Sequence, residues 1–132
     1  MKARKTIRRI LVALAILFLA SAVWYADLLR AAFQRNPIPR SAQSIARGRD
    51  LFQKDCVVCH GIGGLGDGPA AAGMQKKPKD LTRLPPPPIF PDGVIAYRIV
   101  HGKNLMPAYG GTLSENEVWD LLNFIRSLAP AK

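Results

Sequence analysis

From position 10 the chain is apolar without interruption to position 20, and after Ser21 the run resumes until Asp27 ends it. It has neither the period of an amphipathic helix nor the alternation of a strand, and an all-round apolar helix is one surrounded by lipid or buried. Counted over residues 10–26 the run holds seventeen residues, near the short limit for spanning a bilayer at about 1.5 Å rise per residue. Beyond it the pattern changes. Ile45, Gly48, Phe52 and Cys56 recur at spacings of 3, 4 and 4, which predicts a helix that starts at an N-cap on Ser41 or Ser44 and runs to the cysteines. Residues 61–73 are too rich in glycine for regular structure, and residues 85–88 with Pro91 predict an extended polyproline-type stretch. Asp92 is placed to cap a short helix over residues 94–101, closed by Gly102. The last helix is the best marked. Ser114 and Glu117 spell a capping box, Leu113 and Val118 a hydrophobic staple, and Val118, Leu121, Leu122, Ile125 and Leu128 an apolar stripe, with Pro130 beyond the end. No strand pattern or internal repeat competes, so the expected class is all-α: short helices around a buried group, preceded by one apolar N-terminal helix.

Charge orients the first segment. Lys2, Arg4, Lys5, Arg8 and Arg9 precede the apolar run, which keeps them in the cytoplasm and sends everything after Asp27 outside. Trp24 and Tyr25 fall where an interfacial aromatic pair belongs. Ala20-Ser21-Ala22 is also an A-x-A cleavage pattern after an apolar core. Residues 1–33 therefore read as a basic tail with a transmembrane anchor, or as a signal peptide. Both readings export the remainder of the chain, giving a single-pass inner-membrane protein with its folded part in the periplasm, or a soluble periplasmic one if the segment is cleaved. Residues 34–40, with two prolines, read as a short stiff linker, and residues 41–132 as the folded domain. The formal charge of +10 divides evenly, because residues 1–33 hold six Lys or Arg and one Asp, residues 34–132 thirteen and eight, so each part contributes +5. The domain's share suits an acidic protein partner. No nucleic-acid motif accompanies it, so no nucleic acid is expected.

About a hundred residues then remain to fold, a size that buries a modest share of its surface and gains from a large apolar cofactor. Cys56-Val57-Val58-Cys59-His60 offers the place for one, since C-x-x-C-H is the haem-attachment pattern. Cysteines three apart on a helical turn project to one side, where each can bond a haem vinyl group, and the next residue carries its imidazole beneath the iron. Other uses of the pair fit less well. A thioredoxin-like redox pair wants a βαβ context, a zinc site lacks its second pair of ligands, and a simple disulfide leaves the histidine unexplained.

Residues 44–128 resemble the small class I cytochromes c of bacterial membranes and periplasm, most of all those that serve as domains or subunits of respiratory complexes and dehydrogenase electron chains. The matching stretches are ARGRDLFQKDCVVCHGIGGLGDGP, KPKDLT, DGVIAYRIVHGKNLMPAYG and LSENEVWDLLNFIRSL, in the family's order. The resemblance implies a cytochrome c fold around one covalent haem c, attached at Cys56 and Cys59 and ligated by His60 and Met106. It also implies that Gly48 and Phe52 pack against Leu121 and Phe124, and that the Pro69 carbonyl accepts the ring N–H of His60. A thioether ligand favours reduced iron and raises the potential. His101 is the rival sixth ligand and would give a bis-histidine haem of lower potential. Met74 reads as a packing or surface residue, and Met1 belongs to the cytoplasmic tail. Lys76, Lys77, Lys79 and Lys103 ring the haem edge or form plain solvated surface. With both axial positions filled the iron has no site for substrate, so the expected role is an electron carrier and not an enzyme, working between a redox donor and acceptor. The alternative is a haem enzyme or a gas or redox sensor with a labile sixth ligand. A carrier swinging on its linker and a small subunit fixed in a larger membrane complex fit the sequence equally.

Overall fold

The computed structural model describes residues 2–130, excluding the side chains of residues 2, 3 and 24. Helix α1, Lys2–Phe33, takes up the whole N-terminal apolar segment. Within it Arg4–Phe33 is long and apolar enough to cross a membrane, a test that a transmembrane anchor and a signal sequence both pass, and no part of its most apolar window is buried against the rest of the chain. Tyr25 is exposed, while the ring of Trp24, its expected interfacial partner, lies outside the described residues. The helix continues past Asp27 to Phe33, further than the apolar run alone predicts. Its last turn leaves the all-exposed pattern: Ala31 is buried against the start of α4, Asp92–His101, where Gly93 faces the Ala31 carbonyl.

Residues 34–40, expected to be a linker, are strapped to α5, Glu115–Ser127. Asn36 Nδ2 donates to Asn123 Oδ1 at 2.8 Å, and Asn123 Nδ2 donates to the Ile38 carbonyl at 3.2 Å. Arg40 donates to the Arg126 carbonyl at 3.2 Å. Helix α2, Ala42–Asp55, is capped by Ser41, whose side chain accepts from Ser44 N at 3.1 Å. Ser44 is the other candidate cap, but it is fully buried and donates to Asp120 Oδ1 at 2.6 Å. Asp120 takes two more hydrogen bonds from Arg47, so its carboxylate is satisfied inside the α2–α5 contact. That contact is close because position 48 is glycine: a Cβ there would overlap the Asp120 carbonyl and stand 2.9 Å from Phe124 Cβ. Phe52 and Phe124 complete it with ring centroids 5.2 Å apart. Ile95, Ala96 and Ile99 of α4 and Val118, Trp119, Leu121, Leu122 and Ile125 of α5 close the core around Phe52.

Between α2 and α4 the chain departs from expectation in three places. The glycine-rich segment contains a 3-10 turn, Pro69–Gly73, begun by its proline. The proline run is extended only at its start, for Ile89 N donates to the Pro86 carbonyl and turns it. Helix α4 begins at Asp92, two residues early, behind Pro91 and without a side-chain cap. Asp92 does not cap because its carboxylate is used elsewhere: Arg126 Nε donates to it at 2.8 Å, and Arg126 Nη1 donates to the Pro85 carbonyl at 2.7 Å. One arginine on α5 thus holds both the proline segment and the head of α4. The expected capping box of α5 forms. Ser114 Oγ accepts from Glu117 N, and Glu117 Oε2 accepts from Ser114 N at 2.8 Å.

Candidate haem site

Helix α2 stops at Asp55, and Cys56 (φ −115°) breaks it from a single turn, α3, Val57–His60. The Cys56 carbonyl accepts from both Cys59 N (3.2 Å) and His60 N (2.8 Å), and the Val57 carbonyl from Gly61 N (2.9 Å). Cys56, Cys59 and His60 are thereby fixed on one turn. The following loop folds back on it, since Gly66 N donates to the His60 carbonyl and Gly68 N to the Cys59 carbonyl. Gly68 lies flat on the turn: a Cβ there would stand 2.5 Å from both the Val57 and Val58 carbonyl oxygens. Gly61, Gly64 and Gly66 of the same loop take positive φ, which the wrapping needs and which side chains rarely adopt.

Both cysteines are free and half-buried. Burial, helped by the neighbouring Asp55 and Cys59, pushes the Cys56 thiol up to about 12. Among the described residues no three His, Cys, Asp or Glu side chains come together to hold a metal ion, so a zinc centre finds no ligand set.

The His60 ring is half-buried, 6.4 Å from the Phe52 ring between centroids. Burial holds its pKa below the ordinary value, with the backbone of Lys79 acting weakly the other way, so the imidazole is neutral and carries a lone pair for iron. Its Nδ1 is buried and has no hydrogen-bond partner. The expected bond from Nδ1 to the Pro69 carbonyl is therefore not formed. Pro69 is exposed at the head of its 3-10 turn. The backbone near the ring is that of Lys79.

Met106 sits on a loop built for close turning. Lys103 N donates to the Met106 carbonyl at 3.1 Å and Met106 N to the Lys103 carbonyl at 3.0 Å. Asn104 (φ 55°) takes the left-handed conformation that the reversal needs. Beyond Met106 the loop returns along the end of α4, where Tyr109 N and Gly110 N donate to the Ile99 and Val100 carbonyls. The Met106 side chain is half-buried against the core. Its rival His101 is exposed, stacked on the Tyr97 ring at 4.0 Å and hydrogen-bonded to the Tyr97 carbonyl at 3.0 Å. It lines a groove with Asp27, Arg30 and Phe33 of α1. Met74 follows the 3-10 turn and Met1 lies outside the described residues.

The four lysines expected near the haem edge are all exposed, but the Lys79 ammonium lies over the Phe90 ring at 5.2 Å, so it is partly engaged within the domain. Val58, Ile62, Leu65 and Leu105 are large apolar side chains left exposed on α3, the glycine loop and the Met106 loop. Surface of that kind is what a large apolar cofactor would cover. A neutral half-buried imidazole, two free thiols on its own turn and uncovered apolar side chains together fit a covalent haem. Spacing does not point to Tyr109, because its phenol acts across 54 residues of sequence.

A helical fold with no strand among the described residues, carrying a C-x-x-C-H turn, defines a class I c-type cytochrome. Residues 43–125 match the family model described as cytochrome c oxidase, cbb3-type, subunit III, and the chain belongs to this cytochrome c family, whose members bind haem c covalently. Cytochrome c6 of Thermosynechococcus vestitus is 29% identical over 84 residues, covering 64% of this chain and 70% of that one. Cytochrome c6 of Petalonia fascia is 32% identical over 83 residues, covering 63% and 91%. A solved chain of the reducing HAO-like protein complex of Kuenenia stuttgartiensis superposes with a TM-score of 0.60 at 29% identity. It covers 71% of this chain, which spans 47% of that one. The chain is an electron-transfer protein of the cytochrome c type.

Proposed function

We propose that Cys56 and Cys59 hold one haem c through thioether bonds, that His60 and Met106 are its two axial ligands, and that the protein passes single electrons on the periplasmic side of the inner membrane. The bound haem supplies one-electron chemistry at a potential raised by the thioether. Burial keeps His60 neutral, and the short 103–106 turn and the core contact hold Met106 in one place. The observation that carries the ligand choice is the contrast between Met106, packed on the core, and His101, turned outward toward α1. The ring N–H of a ligated His60 needs an acceptor to fix its orientation, and a modest shift of the loop at Pro69 or Lys79 would supply one.

The same domain is carried by α1 as a retained anchor, and the apolar character that continues past the A-x-A site through Trp24, Tyr25, Leu28, Leu29 and Phe33 supports retention. Docking of α1 on α4 and the strap of residues 34–40 on α5 support a domain held at a set position and not swinging on a tether. Such a carrier receives its partners, and the exposed Lys76, Lys77 and Lys103 suit a partner with an acidic face. A place in a respiratory or dehydrogenase complex fits the same logic, with α1 packed among other membrane helices.

The test is the ferric spectrum. Sulfur-to-iron ligation gives a weak near-red charge-transfer band. It should be present in the wild type, absent in Met106→Ala, and retained in Met74→Ala and His101→Ala. A band that survives Met106→Ala, or one that disappears in His101→Ala, rejects the ligand assignment.

A further inference from the structure

Where α2 breaks at Cys56, the Asp55 carbonyl loses its regular helical partner. That partner would be Cys59 N, which instead donates to the Cys56 carbonyl at 3.2 Å. An orphaned carbonyl beside the attachment turn needs another donor, and Tyr109 Oη supplies it at 3.0 Å. Tyr109 is half-buried against the core, and its hydroxyl meets the carbonyl of the residue that immediately precedes Cys56. Its backbone is held separately, with N–H on the Ile99 carbonyl at 3.0 Å and its own carbonyl accepting from Leu113 N at 2.9 Å. Tyr109 lies three residues beyond Met106. One side chain thus joins the segment that carries the sixth ligand to the break that begins the haem-attachment turn, 54 residues away in sequence.

We infer that Tyr109 is a positioning residue: its hydroxyl clamps the Met106 segment to the Asp55–Cys56 break and thereby sets how firmly Met106 holds the sixth position against competing ligands. This inference rests on Met106 being that ligand. Removing the hydroxyl leaves the ring in place and releases one hydrogen bond, worth about 1 kcal/mol net. The effect falls on the ligand loop, because the other attachments of Tyr109 are backbone bonds that a phenylalanine keeps.

The experiment compares the full-length holoprotein, Tyr109→Phe, and Ser44→Ala, which removes a buried hydrogen bond remote from the ligand loop. Imidazole is titrated into each ferric protein, and the near-red band is followed on warming beside far-ultraviolet circular dichroism. In Tyr109→Phe imidazole should bind roughly fivefold more tightly than in wild type, the factor that about 1 kcal/mol represents. Its band should also fade well before helix is lost. In Ser44→Ala helix should melt earlier while imidazole affinity stays at the wild-type value. Equal imidazole affinity in wild type and Tyr109→Phe, with the band present in wild type, overturns the clamp and leaves the ligand assignment standing. Absence of the band from wild type overturns both.

Discussion

Gly93 lies so close to Ala31 that a methyl group at position 93 would overlap the Ala31 carbonyl oxygen, with the Gln34 carbonyl 2.9 Å away. Glycine is needed at this point for proximity, since its φ is not in the left-handed region. The contact joins the last turn of α1 to the first turn of α4, so the apolar N-terminal helix and the haem-binding core share a packed junction. The Asn36–Asn123 hydrogen bond and the Arg40–Arg126 contact fasten the next residues to α5. A domain built this way is held in a set position on the end of α1.

Gly93→Val should break that junction and leave the haem site intact. Overpacking of this kind costs about 1–3 kcal/mol, enough to raise the open population of the α1 junction by about fivefold or more. In detergent, trypsin should cut at Arg35 and Arg40 correspondingly faster than in wild type, while haem content and the ferric spectrum stay unchanged. Equal cutting rates would mean that the junction does not restrain the segment.

The attachment turn predicts a covalent bond that survives unfolding. Cys56→Ala with Cys59→Ala should abolish haem staining on a denaturing gel, whereas either single variant should retain a weaker stain through the remaining thioether. Undiminished stain in the double variant would remove the basis of the site.

Asp120 gives the fold an acid limit. Burial by itself would push its carboxyl up, but hydrogen bonds from Arg47 and Ser44 and the charge of Arg47 outweigh burial and hold it below the usual carboxylate range. A group depressed in the folded state contributes stability above its unfolded pKa, about 3.9, and that contribution is lost as pH falls through the lower folded value. Asp120→Asn should therefore cost about 1–3 kcal/mol at neutral pH. Thermal melts from pH 7 to pH 2 should show the gap between the two proteins narrowing below about pH 4. A gap that is constant with pH would place the stabilisation elsewhere.

Much of this is legible in the sequence because the informative contacts are local. The capping box of Ser114 and Glu117, the Phe52 face of α2 and the C-x-x-C-H turn depend on residues within one or two turns of each other. Long-range pairing explains the rest. Asp92 has the pattern of a cap, but Arg126, 34 residues on, takes its carboxylate. Ser44 is equivalent to Ser41 in sequence pattern, and only Asp120 across the core makes it a buried hydroxyl. Residues 34–40 read as a linker from their prolines because composition does not reveal that Asn36 finds Asn123. Family resemblance gives the Pro69 carbonyl to the His60 ring, whereas Nδ1 of that ring has no hydrogen-bond partner here.

If both axial positions of the haem are filled by the protein's own residues, the chain is a carrier and leaves no site for a gas or substrate. Carbon monoxide added to the reduced protein tests this directly, because carbon monoxide binds ferrous haem only where a position is open or readily opened. The reduced spectrum should be unchanged in the wild type and shifted in Met106→Ala. Stoichiometric binding to the wild-type protein would refute the carrier assignment and point to a sensor or enzyme with a labile sixth ligand.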